Sequence, residues 1–381
     1  NTIAVEIHQS GGNSTDLSFN MRLEGSMDPT FNSSSADLEL STCSEVLWAG
    51  LYWGATQGNS GSNTSWITGE TTVKLKTPGA TNYVDITAAQ VDYHNNTLVP
   101  GLPHTGYRCY ADVTSLLNTT DPNGTYTVAN MATPAGIQNS SAGWTIVVVY
   151  ANPSEIPRNL TVFDGSAIMD GGSPAMDVSF SGFLTPPSGP VSCELGAVVF
   201  DGDRAQQDGF SFRQDGAATF TNLTATPVSN SNDMWNSTIS YKGVNVTTRN
   251  PMYLNTHGYD ADIILIPNAS NAVLGNNQTG ATVRFSSPSE NYFIQVLTTS
   301  ISVFNPSFNL IKLATDVNGG ALNPGDVIRY QIEYNNVGND NSIGTAITDN
   351  IPGNTTYKPG SIVLNGVPKT DIAGDDEAEY D

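Results

Sequence analysis

Residues 1–9 (NTIAVEIHQ) alternate: Ile3, Val5 and Ile7 fall on one face, Thr2, Ala4, Glu6 and His8 on the other. Successive side chains of a strand point to opposite faces, so the pattern predicts a strand with one buried side. Gly11-Gly12-Asn13-Ser14 breaks it, and residues 1–10 therefore read as a lone strand ahead of a joint. From Glu45 strands become frequent. Val46–Trp53 (VLWAGLYW) is an apolar and aromatic core strand, followed by Thr71–Thr77, Tyr83–Thr87, Gly124–Asn130 and Trp144–Tyr150. Asp112–Leu117 is the one short helical stretch, with Asp112 placed to cap it. After Asn152-Pro153 the rhythm repeats over Asn159–Asp164, Met176–Ser181, Gly196–Phe200, Ala218–Leu223, Ile239–Tyr241, Ala261–Ile266, Ala281–Phe285 and Tyr292–Phe304. Asn305-Pro306 opens a last block, where Phe308–Thr315, a strictly alternating Val327–Asn335, Gly344–Asp349 and Ser361–Leu364 read as strands and Asn365-Gly366 as a hairpin turn.

Many short strands with turn signals every ten residues or so predict an all-β chain. The expected architecture is tandem β-sandwich or jelly-roll domains over 11–152 and 153–305, then an immunoglobulin-like β-sandwich over 306–381. That last block is short of the ~100 residues of a complete sandwich of this kind.

Composition changes the picture in two ways. Charged residues are 13% of the 381 residues, about half the ~25% usual for soluble domains. The net charge of −22 comes from 36 acidic against only 14 basic residues. A chain so poor in Lys and Arg is not built to neutralise a phosphate backbone or an anionic bilayer, so nucleic acid is excluded as a partner. No apolar run approaches the length of a membrane-spanning helix. Beginning at Asn1, the chain reads as processed and secreted, hence extracellular and on a cell surface. Asn-x-Ser/Thr occurs at Asn13, Asn32, Asn63, Asn95, Asn118, Asn123, Asn139, Asn159, Asn222, Asn236, Asn245, Asn268, Asn277 and Asn354. Two readings stay open: glycan acceptors of a secreted glycoprotein, or the arithmetic of a chain rich in Asn, Ser and Thr.

Candidate chemistry is sparse. His8, His94, His104 and His257 make no metal-ligand spacing, and no nucleophile elbow, phosphate loop or dinucleotide fingerprint is present. The chain is expected to be non-enzymatic, with no catalytic residue assigned. Asp201 and Asp203 in DGDR, Asp164 in FDG, and Asp316 with Asn318 in DVNGG place oxygen ligands beside glycines. Ca2+ takes such irregular oxygen sets and is the one cofactor the sequence points to; the competing reading is that Asp and Asn beside Gly simply form turns. Cys43, Cys109 and Cys193 fit no zinc pattern. A Cys43–Cys109 disulfide is the expected pairing, with three buried thiols equally open. Lys312 and Asp349 read as an ordinary exposed lysine and acid rather than as parts of a Lys–Asn crosslink. Trp66, Trp235 and Tyr253 are aromatics that could serve a glycan site or a core.

Two sets of motifs resemble a known family. NPGDVIRY (323–330), NNVG (335–338) and TDNIP (348–352) resemble the surface repeat called "domain of unknown function eleven". LYWGA (51–55), YADVTSLL (110–117), GWTIVVVY (143–150), RNLTVFDG (158–165), GFLTPPSGP (182–190) and DGDR (201–204) resemble the large region that precedes such repeats in long secreted proteins of bacteria and archaea. The resemblance implies an extracellular location, tandem β-sandwiches and a structural or adhesive role, and no reaction. Repeats of that family continue for further strands where this sequence stops at Glu379-Tyr380-Asp381. A lone donor strand (Ile3, Val5, Ile7) and a short last domain together predict a homopolymer, a filament or sheath subunit joined head to tail by β-strand addition; the competing reading of residues 1–9 is a strand that pairs inside its own domain. The alternative expectation is an adhesin for surface glycans.

Overall fold

A computed structural model describes residues 30–56, 69–94, 106–119, 121–133, 140–303, 308–338, 341–342 and 344–380. The expected donor strand with Ile3, Val5 and Ile7 lies outside them. The chain divides into two compact units, Asn1–Phe304 and Asn305–Asp381.

The first unit is four β-sheets stacked as two sandwiches. A first outer sheet runs, in spatial order, Arg249–Asn250, Ser33–Leu38, Gly124–Ala129, Thr72–Lys76, Val84–Thr87. The first inner sheet is Gln90–His94, Gly106–Asp112, Glu45–Thr56, Ser141–Ala151. The second inner sheet is Val244–Asn245, Ile239–Tyr241, Tyr259–Leu265, Cys193–Phe200, Tyr292–Ser302, Arg158–Met169. The second outer sheet is Met176–Ser181, Gly280–Ser286, Gly209–Gln214, Thr221–Asn222. Pairing is antiparallel throughout except between Ile239–Tyr241 and Tyr259–Leu265.

Three apolar layers fill the gaps between four sheets. Leu51, Trp53, Tyr107 and Cys109 of the first inner sheet pack on Val73, Leu75, Tyr126 and Val128 of the first outer sheet. Leu195, Val199, Ile264 and Leu297 of the second inner sheet pack on Phe180, Phe210, Phe212 and Phe285 of the second outer sheet. Between the inner sheets lie Tyr52, Val198, Phe200, Tyr259, Phe293 and Val296, flanked by Trp48, Tyr110 and Val147. The pleat explains the layers. In Glu45–Thr56, Leu51 and Trp53 enter the first sandwich while Tyr52, between them, enters the inner interface. In Cys193–Phe200, Val199 and then Phe200 do the same for the second sandwich. A strand covered on both faces has no polar side, which is why VLWAGLYW and GAVVF read as continuous apolar runs. Each fully buried large side chain contributes roughly 1.5–3 kcal/mol.

Polar groups also span the inner interface. Tyr292–Ser302 bulges against both neighbours, with a register shift between Ile294 and Val296 opposite Arg158–Met169. The side-chain amide of Gln295, at the bulge, donates to the carbonyls of Cys109 (2.9 Å) and Trp53 (3.3 Å). Arg108 is buried and lies 3.7 Å from the Phe200 ring centroid. Its guanidinium donates to Tyr107 O (2.7 Å), Ala55 O (3.0 Å) and Thr56 Oγ1 (3.0 Å), and burial lowers its pKa to about 9. The two sandwiches are thus fused into one body within Asn1–Phe304. They are also laced: Arg249–Asn250 pairs with Ser33–Leu38, adding an edge strand to the first sandwich from the sequence of the second. Among the described residues the one α-helix is Thr114–Leu117; its N-cap is Val113 rather than the expected Asp112, which ends the preceding strand and whose Oδ1 accepts the Thr114 N–H at 2.8 Å.

In the second unit the described residues form two two-stranded sheets: Phe308–Asp316 with Ile328–Asn336, and Val363–Leu364 with Val367–Pro368 around the expected Asn365-Gly366 turn. The strand expected over Gly344–Asp349 does not form; its described residues are exposed and irregular. Leu310 pairs with Tyr334, Lys312 with Ile332 and Ala314 with Tyr330. Phe308, Leu310, Ala314, Ile328, Tyr330, Ile332 and Tyr334 therefore share one face of the longer hairpin.

Candidate functional site

A cluster of buried acids lies at one end of the second sandwich. The loop after Cys193–Phe200 holds Asp201, Ala205 and Gln207 at φ of 66°, 65° and 65°, a region in which a residue with a Cβ is strained by roughly 1–3 kcal/mol. Asp208 closes the loop, fully buried. Its Oδ1 accepts the N–H of Met234 (2.6 Å) and of Trp235 (2.9 Å). Glu290, from the segment before Tyr292–Ser302, accepts the Asp203 N–H at 2.6 Å. Asp260 accepts the Thr238 N–H (2.9 Å), and Asp262 accepts the Ser240 hydroxyl (2.5 Å).

Burial dominates the electrostatics. It pushes Asp208, Glu290 and Asp260 above the carboxylate range, with Asp262 as the second cause for Asp260. Asp262 is pushed up to about 7 by burial. Asp201 reaches about 7 through burial and the charge of Asp203, against the opposing pull of Arg108. The sequence reading named Asp201 and Asp203 here and missed Asp208, Asp260, Asp262 and Glu290. Part of the signal was present: in YDADIIL, Asp260 and Asp262 share a strand face with Ile264, a core residue.

The expected calcium ligands are not gathered. Asp164 lies within Arg158–Met169 and accepts the Tyr52 hydroxyl at 3.4 Å. Asp203 is exposed in the loop. Asp316 and Asn318 lie in the second unit, where Asp316 Oδ1 accepts the Asn318 N–H (2.9 Å) and Asn318 Oδ1 the Val327 N–H (2.8 Å). These are turn-forming bonds. Among the described residues no group of three or more His, Cys, Asp or Glu is arranged to hold a metal ion.

The Cys43–Cys109 disulfide is also corrected: all three cysteines are free, Cys43 exposed, Cys109 and Cys193 buried. Cys43 stands just ahead of Glu45, whereas Cys109 lies opposite Trp53. Eight residues of strand separate those points by ~26 Å, against a limit of ~7 Å between bridged Cα atoms.

Of the sequons, Asn13, Asn63, Asn95 and Asn139 lie outside the described residues. Asn118, Asn222, Asn277 and Asn354 are exposed. Asn236 is buried, and its amide donates to Val228 O while its carbonyl accepts Thr238 Oγ1. The Asn268 amide donates to Val191 O and Leu274 O, and Asn32 and Asn123 likewise spend theirs on Met131 O and Leu40 O. Those four side chains are engaged in hydrogen bonds that hold the fold. Asn159 and Asn245 are half-buried.

Trp235 is fully buried in the second core, so it offers no glycan platform, and Trp66 lies outside the described residues. Tyr253 is 67% exposed between exposed Met252 and Leu254. Arg249 holds this tip by donating to Val246 O (3.0 Å), Pro251 O (2.6 Å) and Tyr253 O. His94 packs on Phe293 with centroids 4.0 Å apart, and His257 sits in a turn at φ 56°; His8 and His104 lie outside the described residues.

In the second unit the apolar hairpin face stays open. Leu310 is 56% exposed and Tyr334 46%. Lys312 pairs with Asp349 Oδ1 at 2.6 Å and lies over the Tyr330 ring.

No protein-family model and no curated protein matches the chain. Similar solved structures include the infectious bursal disease virus Gx strain (10% identity, 70% of this chain and 58% of that one, TM-score 0.22). Others are the VP2 subviral particle of the same virus (8%, 68% and 58%, 0.23) and the mavirus major capsid protein (10%, 78% and 93%, 0.19). The chain spans 58% of the first two of these. At such TM-scores no functional reading follows from the likeness.

Proposed function

We propose that this chain is an extracellular structural protein whose copies associate head to tail, through β-strand addition, into a filament or sheath. The observation that carries this reading is the hairpin Phe308–Asp316/Ile328–Asn336. It presents seven apolar residues on one face, and no third strand joins either edge among the described residues. Unpaired strand edges beside exposed apolar surface favour pairing with another chain. The alternating Ile3, Val5 and Ile7 supply a matching one-sided strand from a neighbouring copy. Head-to-tail contact of this kind propagates into an open filament where its rotation does not close a ring.

The test deletes residues 1–10 and, separately, places Ser at Leu310 and Tyr334. Sedimentation and negative-stain microscopy read assembly. Loss of assembly in both variants, with the first unit still folded, is the expected result; full assembly by either variant rejects strand donation to this hairpin. A second reading, a glycan adhesin, is favoured by the Tyr253 tip that Arg249 holds rigid. Glycan-array binding that Tyr253→Ala abolishes would support it.

A further inference from the structure

Among the described residues the four sheets of the first unit end in eight terminal strands, and seven of these are blunted. Arg249–Asn250, Thr221–Asn222 and Val244–Asn245 are two residues long. Val84–Thr87, Gln90–His94 and Met176–Ser181 carry Asp85, Asp92 and Asp177. Arg158–Met169 carries Arg158 and Asp164 and breaks register beside Gln295. Short, charged or bulged edges resist pairing with another chain. The eighth strand, Ser141–Ala151 (SAGWTIVVVYA), has 11 residues and no charge. It pairs with Glu45–Thr56 alone, and among the described residues no further backbone bond reaches it.

A short stretch of chain runs past this edge instead. Trp144 Nε1 donates to Ser34 Oγ (2.7 Å), and the Thr145 and Tyr259 hydroxyls meet at 2.5 Å. Ser141–Ala151 therefore lies between Ser33–Leu38 on one side and Tyr259–Leu265 on the other. The far end of its sheet, Gln90–His94, packs near Arg158–Met169, the far end of the second inner sheet. That fixes which way is outward. Next outward from Ser33–Leu38 is Arg249–Asn250; outward from Tyr259–Leu265 come Ile239–Tyr241 and then Val244–Asn245. From Asn245 to Arg249 the chain takes four steps, which reach at most about 14 Å, so residues 246–248 cross outside the free edge with no slack for a detour. Both ends are anchored: the Val246 N–H donates to Ile239 O, and Thr248 O accepts the Asp37 N–H, each at 2.9 Å. Arg249 latches the crossing by donating to Val246 O (3.0 Å) and Pro251 O (2.6 Å).

We propose that residues 246–248 are a guard strap over the free edge of Ser141–Ala151, and that lifting the strap turns this edge into an acceptor for a strand of a second copy. Charge selects that partner's seat. Copies of net charge −22 repel, and an uncharged edge is where they meet at least electrostatic cost. An added strand would also cover Tyr241 and Val244, cross-strand partners left 51% and 68% exposed. The contact is lateral, and neither residues 1–10 nor the hairpin of the second unit takes part in it.

The test uses the full chain carrying Leu310→Ser and Tyr334→Ser, so that head-to-tail contact does not enter. Arg249→Ala frees the latch. Asp37→Cys with Thr248→Cys, in a Cys43→Ser background, pins the strap, because those two residues face each other across a strand pair at a separation a disulfide spans. In sedimentation velocity, Arg249→Ala should associate at a concentration at least ~10-fold below that of its parent. The oxidised pin should abolish this association and reduction should restore it, with tryptophan fluorescence showing the first unit folded throughout. An Arg249→Ala chain as monomeric as its parent overturns the strap, and so does association that the oxidised pin leaves unchanged. Hydrogen exchange supplies a reading that needs no Arg249 variant: in the pinned pair alone, the amides of 141–151 should exchange faster reduced than oxidised. In associated material the same amides should gain protection. Association without added protection over 141–151 would place the joint elsewhere and overturn the proposal.

Discussion

The two units use the same strands and turns to opposite ends. In the first, Leu51, Tyr52 and Trp53 are consecutive and all buried, because the strand carrying them has a sheet on either side. In the second, Leu310, Ile311 and Leu313 are also close in sequence, and all are about half exposed. The difference is not composition but the number of layers. Hydrophobic side chains stabilise a fold only where another layer covers them; left open, the same side chains become an invitation to associate.

Four measurements sharpen or break this contrast. All five tryptophans precede residue 305, so tryptophan fluorescence follows the first unit alone. The largest effect is expected from Phe200→Ala, which opens a cavity between the inner sheets beside Arg108 and should cost about 3–5 kcal/mol by chemical denaturation. Leu310→Ala, by contrast, should leave that transition within about 0.5 kcal/mol of wild type. Equal losses would remove the distinction between a layered and an open unit.

Acidity comes next. Asp201 and Asp262 hold protons to about pH 7 in the first unit, whereas in the second unit the backbone N–H groups of Thr370 and Ala378 hold Asp376, and the Lys369 ammonium holds Glu377, below their ordinary values. Raised carboxyls bind more protons folded than unfolded, so their contribution is present in acid and fades as pH rises. The first unit should lose on the order of 3 kcal/mol between about pH 5.5 and pH 8.5. A fluorescence melting temperature that rises over that range contradicts the burial of these acids.

Gln295→Ala leaves two buried carbonyls without their donor and should cost the first unit about 1–3 kcal/mol; an unchanged denaturation midpoint would mean water replaces the amide. Smallest is Lys312→Gln. It breaks an exposed ion pair worth about 0.2–1 kcal/mol, visible only in the tyrosine signal of the second unit.

Much of this architecture is legible in the sequence where burial is one-sided or complete. Val46–Trp53 announces a core strand, Asp112 a helix start, Asn365-Gly366 a hairpin, and the break near residue 305 the edge of a unit. The fusion of the two sandwiches is not legible. A strand buried against one partner and a strand buried against two both appear as apolar runs, and only the topology tells them apart. The acid cluster escaped for a related reason. Polar residues alternating with apolar ones read as the wet face of a strand, but Asp260 and Asp262 alternate toward the core, and Asp208 and Glu290 reach it from loops of no regular period. The Gly344–Asp349 prediction failed where local propensity had no neighbouring strand to pair with.

The small strand Arg249–Asn250 has a consequence for how the protein is made. The sheet it completes belongs to the first sandwich, whose other strands have all emerged by Ala151. Translation must add about 100 more residues before that edge can be closed, roughly 5–20 s at ordinary elongation rates. For that interval the nascent first sandwich carries an open margin along Ser33–Leu38, where a chaperone or a neighbouring nascent chain would bind if it bound anywhere.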